Sequence, residues 1–199
     1  MSDPQGARWR AIVAGFLLLA GTGVLNGATA LAAHGRGFAD GSNRRGPDAA
    51  VKMGLIDAIH AKLPRVDPAL STRIAESIVR CQREQSLAPD LVLAVLVQES
   101  SGRPGARSSA GAIGLMQVMP YMYEELALPG SVSHVEANIE AGCRLLADNI
   151  RRLGEDDGIS AYFWGNAAGN DRYLGNVKKL RRDFRPYVAP EVASARISG

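Results

Sequence analysis

Histidine is scarce: His34, His60 and His134 are the only three in 199 residues, and they lie far apart with no ligand spacing. That argues against a metal site. A G-x-S-x-G elbow and a phosphate loop are also missing, which removes the usual serine-hydrolase and nucleotide-binding signatures. No cofactor is expected. Charge of one sign is equally short. The net charge is +3, and residues 51–187 carry 17 basic against 16 acidic residues, or +1. So small an excess does not support nucleic-acid binding. The cluster Lys178, Lys179, Arg181, Arg182 and Arg185 reads as the solvated face of a helix, with a patch facing an anionic surface as the alternative. No series of alternating strands, internal repeat or low-complexity tract is present.

What is there begins with an address. Arg8 and Arg10 precede an uncharged run from Ala11 to Ala33, which ends in small residues at A-x-A spacing. Residues 1–33 therefore read as a signal peptide, or as a signal anchor if uncleaved. Either way the rest of the chain is expected to be exported, with the periplasm as its site. Residues 34–50, rich in glycine and charge, are expected to be a flexible spacer. Residues 51–187 are expected to fold, and residues 188–199 to form a tail that frays.

The spacing of apolar residues in the folded part favours helices. Ser71 can cap one whose Ile74, Ile78 and Cys81 share a face. Pro89 and Asp90 suit the first turn of the next, where a missing N–H is harmless and a negative charge meets the positive end of the dipole. That helix carries Leu91 to Val97, apolar all round, and is expected to be buried. Ser133 to Glu136 matches a capping box, ahead of a stripe of Ile139, Gly142, Cys143, Leu146, Ile150 and Leu153. A last helix places Tyr173, Val177, Leu180 and Phe184 together. Gly102 to Ile113 is expected to be an irregular loop with at most a short β-hairpin. Both cysteines, Cys81 and Cys143, fall on apolar faces, either as a disulfide of an exported protein or as two core thiols.

Glu99 ends the buried helix, just before Gly102. Apolar surroundings and the negative end of the helix dipole both disfavour its charged form. A glutamic acid that stays protonated near neutral pH can donate a proton, which glycosidic-bond cleavage requires. Around it the order of motifs is specific. Glu99-Ser100 is followed by a loop, then Gly114-Leu115-Met116-Gln117 and Met119-Pro120, then Asn138-Ile139 with Gly142 and Leu146, then Ala161-Tyr162 with Gly165. These segments resemble the soluble lytic transglycosylase family, with its goose-type-lysozyme-like domain, over roughly residues 70–185.

The resemblance implies a mainly α, lysozyme-like fold and a peptidoglycan lytic transglycosylase. Glu99 corresponds to the single catalytic acid/base and Ser100 to a residue orienting substrate beside it. Met116 and Gln117 correspond to groove residues. Tyr162 corresponds to the tyrosine whose hydroxyl reaches the acid and helps keep it protonated. The partner it implies is the glycan strand, cut between N-acetylmuramic acid and N-acetylglucosamine by a chain expected to be monomeric. A lysozyme-type hydrolase and a non-catalytic glycan-binding module are the alternatives. Service to a secretion, conjugation or flagellar machine is a further expectation of such a compact exported enzyme. Three positions depart from the family pattern. Gly102 and Phe163 stand where an aromatic and an asparagine are usual, and Met122 replaces a frequent threonine. Asn166 could supply the missing amide.

Most glycoside hydrolases use two carboxylates, yet only Glu99 lies in a motif. Glu124, Glu125, Asp156 and Asp157 read as surface charges. The implied reaction has Glu99 protonate the bridging oxygen and then take the proton of the C6 hydroxyl, which closes a 1,6-anhydro ring within the same sugar.

Overall fold

The computed structural model describes residues 45–165 and 171–189, and all of these belong to one unit spanning residues 42–199. Among them seven α-helices follow one another: α1 (Arg45–Lys62), α2 (Pro68–Gln85), α3 (Pro89–Ser100), α4 (Pro120–Glu125), α5 (Val135–Leu153), α6 (Glu155–Trp164) and α7 (Asp171–Val188). Among the described residues the β-type pairings are isolated antiparallel bridges, Arg107 with Ile113 and Ile113 with Val118. The expected mainly α class and minimal hairpin both hold.

The central element is α3. From Leu91 to Leu96 every side chain is buried, because α7 packs along it and α1 and α2 approach it from other sides. Pro89 opens it at a position where no N–H is needed. Ser101, in the left-handed conformation, closes it with its N–H on the Val97 carbonyl. Helices α2 and α5 pack together and are joined by a disulfide between Cys81 and Cys143, whose Cα atoms lie 6.1 Å apart. Of the two readings of the cysteines, the disulfide is the one the structure takes.

Several boundaries differ from expectation. Helix α1 begins at Arg45, so residues 45–50, assigned to the spacer, are helical; Ala50 is buried and Asp48 approaches Arg83 of α2 at 3.6 Å. Helix α2 starts at Pro68 with Asp67 as its cap, accepting from the Leu70 N–H at 2.9 Å. Ser71 lies inside it and donates to the Asp67 carbonyl instead. The capping box at Ser133 does not form: His134 precedes α5 without a side-chain cap, and Glu136 pairs with Arg73 at 2.7 Å. Helix α7 runs to Val188, through Pro186. The basic cluster on it is largely paired within the fold: Arg181 and Arg185 reach Asp90, Arg181 also reaches Glu155, and Lys178 reaches Asp156. The expected signal segment, residues 34–44 of the spacer, Asn166 and residues 190–199 lie outside the described residues. Among the described residues no helix is long and apolar enough to cross a membrane.

Candidate active site

Glu99 occupies the last turn of α3, directly before the helix is closed by two left-handed residues, Ser101 (φ 53°) and Gly102 (φ 76°). Burial among apolar neighbours pushes its carboxyl up to about 7 from an ordinary 4.5, against the pull of one hydrogen bond. That bond comes from Tyr173 of α7, whose hydroxyl donates to Glu99 Oε1 at 2.6 Å. Tyr173 is itself buried, its ring stacked on Phe163 of α6 with centroids 4.9 Å apart and planes inclined by 23°. Tyr162 lies close enough to feel the Glu99 charge; burial and that charge raise its phenol well above the usual value. Its hydroxyl, however, donates to the Met116 carbonyl at 2.8 Å.

The loop facing this corner is built backbone-first. Ile113 and Val118 exchange two hydrogen bonds of 3.0 Å across the turn Gly114 to Gln117. Asn138 of α5, fully buried, reaches into the turn. Its amide donates to the carbonyls of Ile113 and Val132 at 2.9 Å, and its oxygen accepts from the Met116 N–H at 2.8 Å. The fit is tight. A Cβ on Gly114 (φ 82°) would lie 2.6 Å from the Asn138 amide, and one on Gly142 would lie 2.5 Å from the Met116 Cβ. The Asn-Ile-x-x-Gly helix and the Gly-Leu-Met-Gln turn are therefore two halves of one contact.

Residues 76–182, more than half of the chain, match the profile of the Transglycosylase SLT domain. The chain belongs to this SLT family. A transglycosylase of Enterobacteria phage PRD1 is 31% identical over 134 residues, covering 62% of this chain. The chain spans half the length of that relative. The structure of an inactive mutant of the lytic transglycosylase Slt from Pseudomonas aeruginosa aligns with 65% of this chain and 25% of its own, at 19% identity and a TM-score of 0.48.

Within the SLT frame the expected site residues separate. The Tyr162 hydroxyl was expected on the acid, but Tyr162 feels only the Glu99 charge, and the hydroxyl on the acid is that of Tyr173. The sign of the contact is also corrected: a phenol donating to a carboxylate favours the charged form and lowers the pKa, so burial alone keeps Glu99 protonated. Ser100 is buried; its Oγ donates to the Leu96 carbonyl at 3.1 Å and accepts from the Gly102 N–H at 3.2 Å, so it shapes the helix end. Met116 is fully buried against α5 rather than lining an open groove. Gln117 is half-buried in a left-handed conformation (φ 48°), its amide nitrogen donating to the carbonyls of Gly114 at 2.9 Å and Ala106 at 3.2 Å.

Tyr173 is the residue that sequence reasoning missed as functional, since its place in an apolar stripe marked it as core. One signal could have found it: a buried tyrosine needs a partner for its hydroxyl. Among the described residues no group of histidine, cysteine and carboxylate side chains is placed to hold a metal ion. Glu124, Glu125 and Asp157 are exposed, and Asp156 is exposed in its pair with Lys178.

Proposed function

We propose that this SLT-family protein is a peptidoglycan lytic transglycosylase that cleaves the bond between N-acetylmuramic acid and N-acetylglucosamine and leaves a 1,6-anhydro end. One observation carries the reading: Glu99 is a half-buried acid whose carboxyl burial raises to about 7, and the influences on it are burial and a phenol, with no second carboxylate among them. A protonated Glu99 gives its proton to the bridging oxygen. The carboxylate so formed is caught by the Tyr173 hydroxyl at 2.6 Å, which offsets part of the cost of a buried charge. With no second carboxylate among the influences on Glu99 to hold a nucleophile or activate water, the substrate's acetamido oxygen stabilises the anomeric carbon. The C6 hydroxyl of the same sugar then attacks and returns its proton to Glu99. Attack from within one sugar has the advantage of an intramolecular step. The same reading puts the protein outside the cytoplasm, where its polymer lies, and leaves service to an envelope machine as one use of a local cut.

Digestion of purified sacculi, followed by mass spectrometry of the fragments, tests this. Anhydro-ended muropeptides are expected. Products about 18 Da heavier, with ends that borohydride reduces, would establish a hydrolase with a water nucleophile. No turnover at all would leave a glycan-binding module.

A further inference from the structure

Among the described residues two large apolar side chains stand out as exposed, Met53 at 49% and Phe163 at 43%. Phe163 also stands where the family pattern carries an asparagine. Its ring stacks on that of Tyr173, with centroids 4.9 Å apart and planes inclined by 23°, a geometry in which aromatic pairs attract. Tyr173 is only 3% exposed, and its hydroxyl donates to Glu99 Oε1 at 2.6 Å. An asparagine has no flat apolar face to offer in that place.

Both rings come from helix ends, and the two ends are held differently. Tyr173 lies in the first turn of α7, four residues before Val177, the next buried side chain. Its own helix therefore holds it at an end that can fray. Phe163 lies one residue from the end of α6, and α6 is anchored on both sides of it. Tyr162 donates to the Met116 carbonyl at 2.8 Å, and Gly165 (φ 75°) closes the helix with its N–H on the Ala161 carbonyl at 2.7 Å. At 3.6 residues per turn, neighbouring side chains diverge by about 100°. One helix end thus grips the Gly114–Gln117 turn with Tyr162 and α7 with Phe163. The χ2 torsion of a tyrosine is broad, and a phenol proton prefers the ring plane. Whatever fixes that plane also aims the O–H.

We propose that Phe163 is a positioning residue: its ring fixes the plane of the Tyr173 ring and thereby aims the phenol O–H at Glu99. Its part in catalysis rests on the transglycosylase reading above; the clamp itself does not. The groups that act on one another electrostatically at this corner are Glu99, Tyr162 and Tyr173. Burial and the Glu99 charge hold both phenols well above their usual range, so Glu99 is the one of the three that titrates near neutrality. A looser phenol stabilises the carboxylate less, and Glu99 then keeps its proton to higher pH.

The test follows Glu99 directly, by NMR titration of carboxyl-labelled glutamate in the full chain, its signal identified by its absence in Glu99→Gln. Phe163→Leu keeps an apolar cover but loses the flat ring. It should raise the midpoint by about half a pH unit and lower kcat on sacculi about threefold, the same factor on two scales, with KM unchanged. Phe163→Tyr keeps the ring and should behave as the parent does. In a Tyr173→Phe background, with no O–H to aim, Phe163→Leu should move neither quantity further. A midpoint that stays put in Phe163→Leu would overturn the proposal. So would a midpoint that falls, since the ring would then serve only to keep water out. A raised KM that persists in the Tyr173→Phe background would overturn it too, because the ring would be touching sugar rather than tyrosine. Absence of turnover by the parent would sink the transglycosylase reading instead, and the titration would still decide the clamp.

Discussion

At Glu99 the protein tolerates an unfavourable residue. Its carboxyl sits at about 7 against an ordinary 4.5 because burial penalises the charge. The folded state therefore binds this proton more tightly than the unfolded state does. The resulting stability is present below pH 4.5 and is lost as pH rises to about 7, a difference of about 3 kcal/mol. Glu99→Gln should accordingly be inactive yet more stable than the parent at pH 8, with the gain vanishing near pH 4. Parallel denaturant titrations at the two pH values would show it, and an equal effect at both would contradict an acid that titrates with its folded-state pKa raised. The first chemical step needs the protonated form, so activity should fall as pH rises past about 7. Tyr173→Phe removes the one bond that favours the carboxylate. The alkaline limb should move to higher pH, and the optimum rate should drop about tenfold, since a hydrogen bond to a charged group is worth about 1.5–3 kcal/mol. Tyr162→Phe, whose lost bond is to the Met116 carbonyl, should leave that limb in place. The reverse pattern would return the contact to Tyr162.

Between elements, the strongest constraint is the cross-link of α2 to α5. It closes a separation of 62 residues, for which chain entropy gives about 4 kcal/mol. Cys143→Ser should lower the denaturant midpoint correspondingly in unfolding curves. Unaltered stability would mean the two helices hold each other without it. The pairing was open from sequence because a helical stripe gives the face of each cysteine and not the distance between them. The same holds across this scale. Helix faces at Ile74, Ile78 and Cys81, and the buried run at Leu91 to Leu96, were legible from period and composition. Caps were not, because Ser71 and Ser133 carry the right chemistry but Asp67 and His134 hold the boundary positions. Glu99 was legible from its motif together with its apolar run. Ser100 and Met116 carried the motif too, yet a motif does not say whether a side chain touches substrate or holds the turn that does. Asn138 shows the second case, since its three hydrogen bonds bind the Gly114–Gln117 turn to α5.

Over the whole molecule, α7 holds α3 at both ends. Tyr173 meets Glu99 at the C-terminal end of α3. At the other end Arg181 and Arg185 meet Asp90, at 3.2 and 3.3 Å. The two helices therefore run antiparallel, and polar contacts at both ends fix the register of a helix whose middle, Leu91 to Val97, is apolar. Asp90 and Glu99 are nine residues apart on α3, or roughly 13 Å at 1.5 Å per residue, beyond the range at which substitutions usually couple. Between them Val177 and Phe184 are buried and give α7 its own grip. Asp90→Ala strips Arg181 and Arg185 of their shared acid, but Arg181 keeps Glu155 and Arg185 is largely exposed. A loss of about 1–3 kcal/mol is expected, less than for a fully buried pair. The alkaline limb of the pH–rate profile should stay where it is, because Tyr173 is still held. Combined with Tyr173→Phe, the stability losses should add to within about 0.5 kcal/mol, with the limb following the tyrosine alone. A limb that shifts in Asp90→Ala, or strong non-additivity in the double variant, would show that α7 moves as one rigid lever, so that loosening the distant end of the bundle loosens the acid.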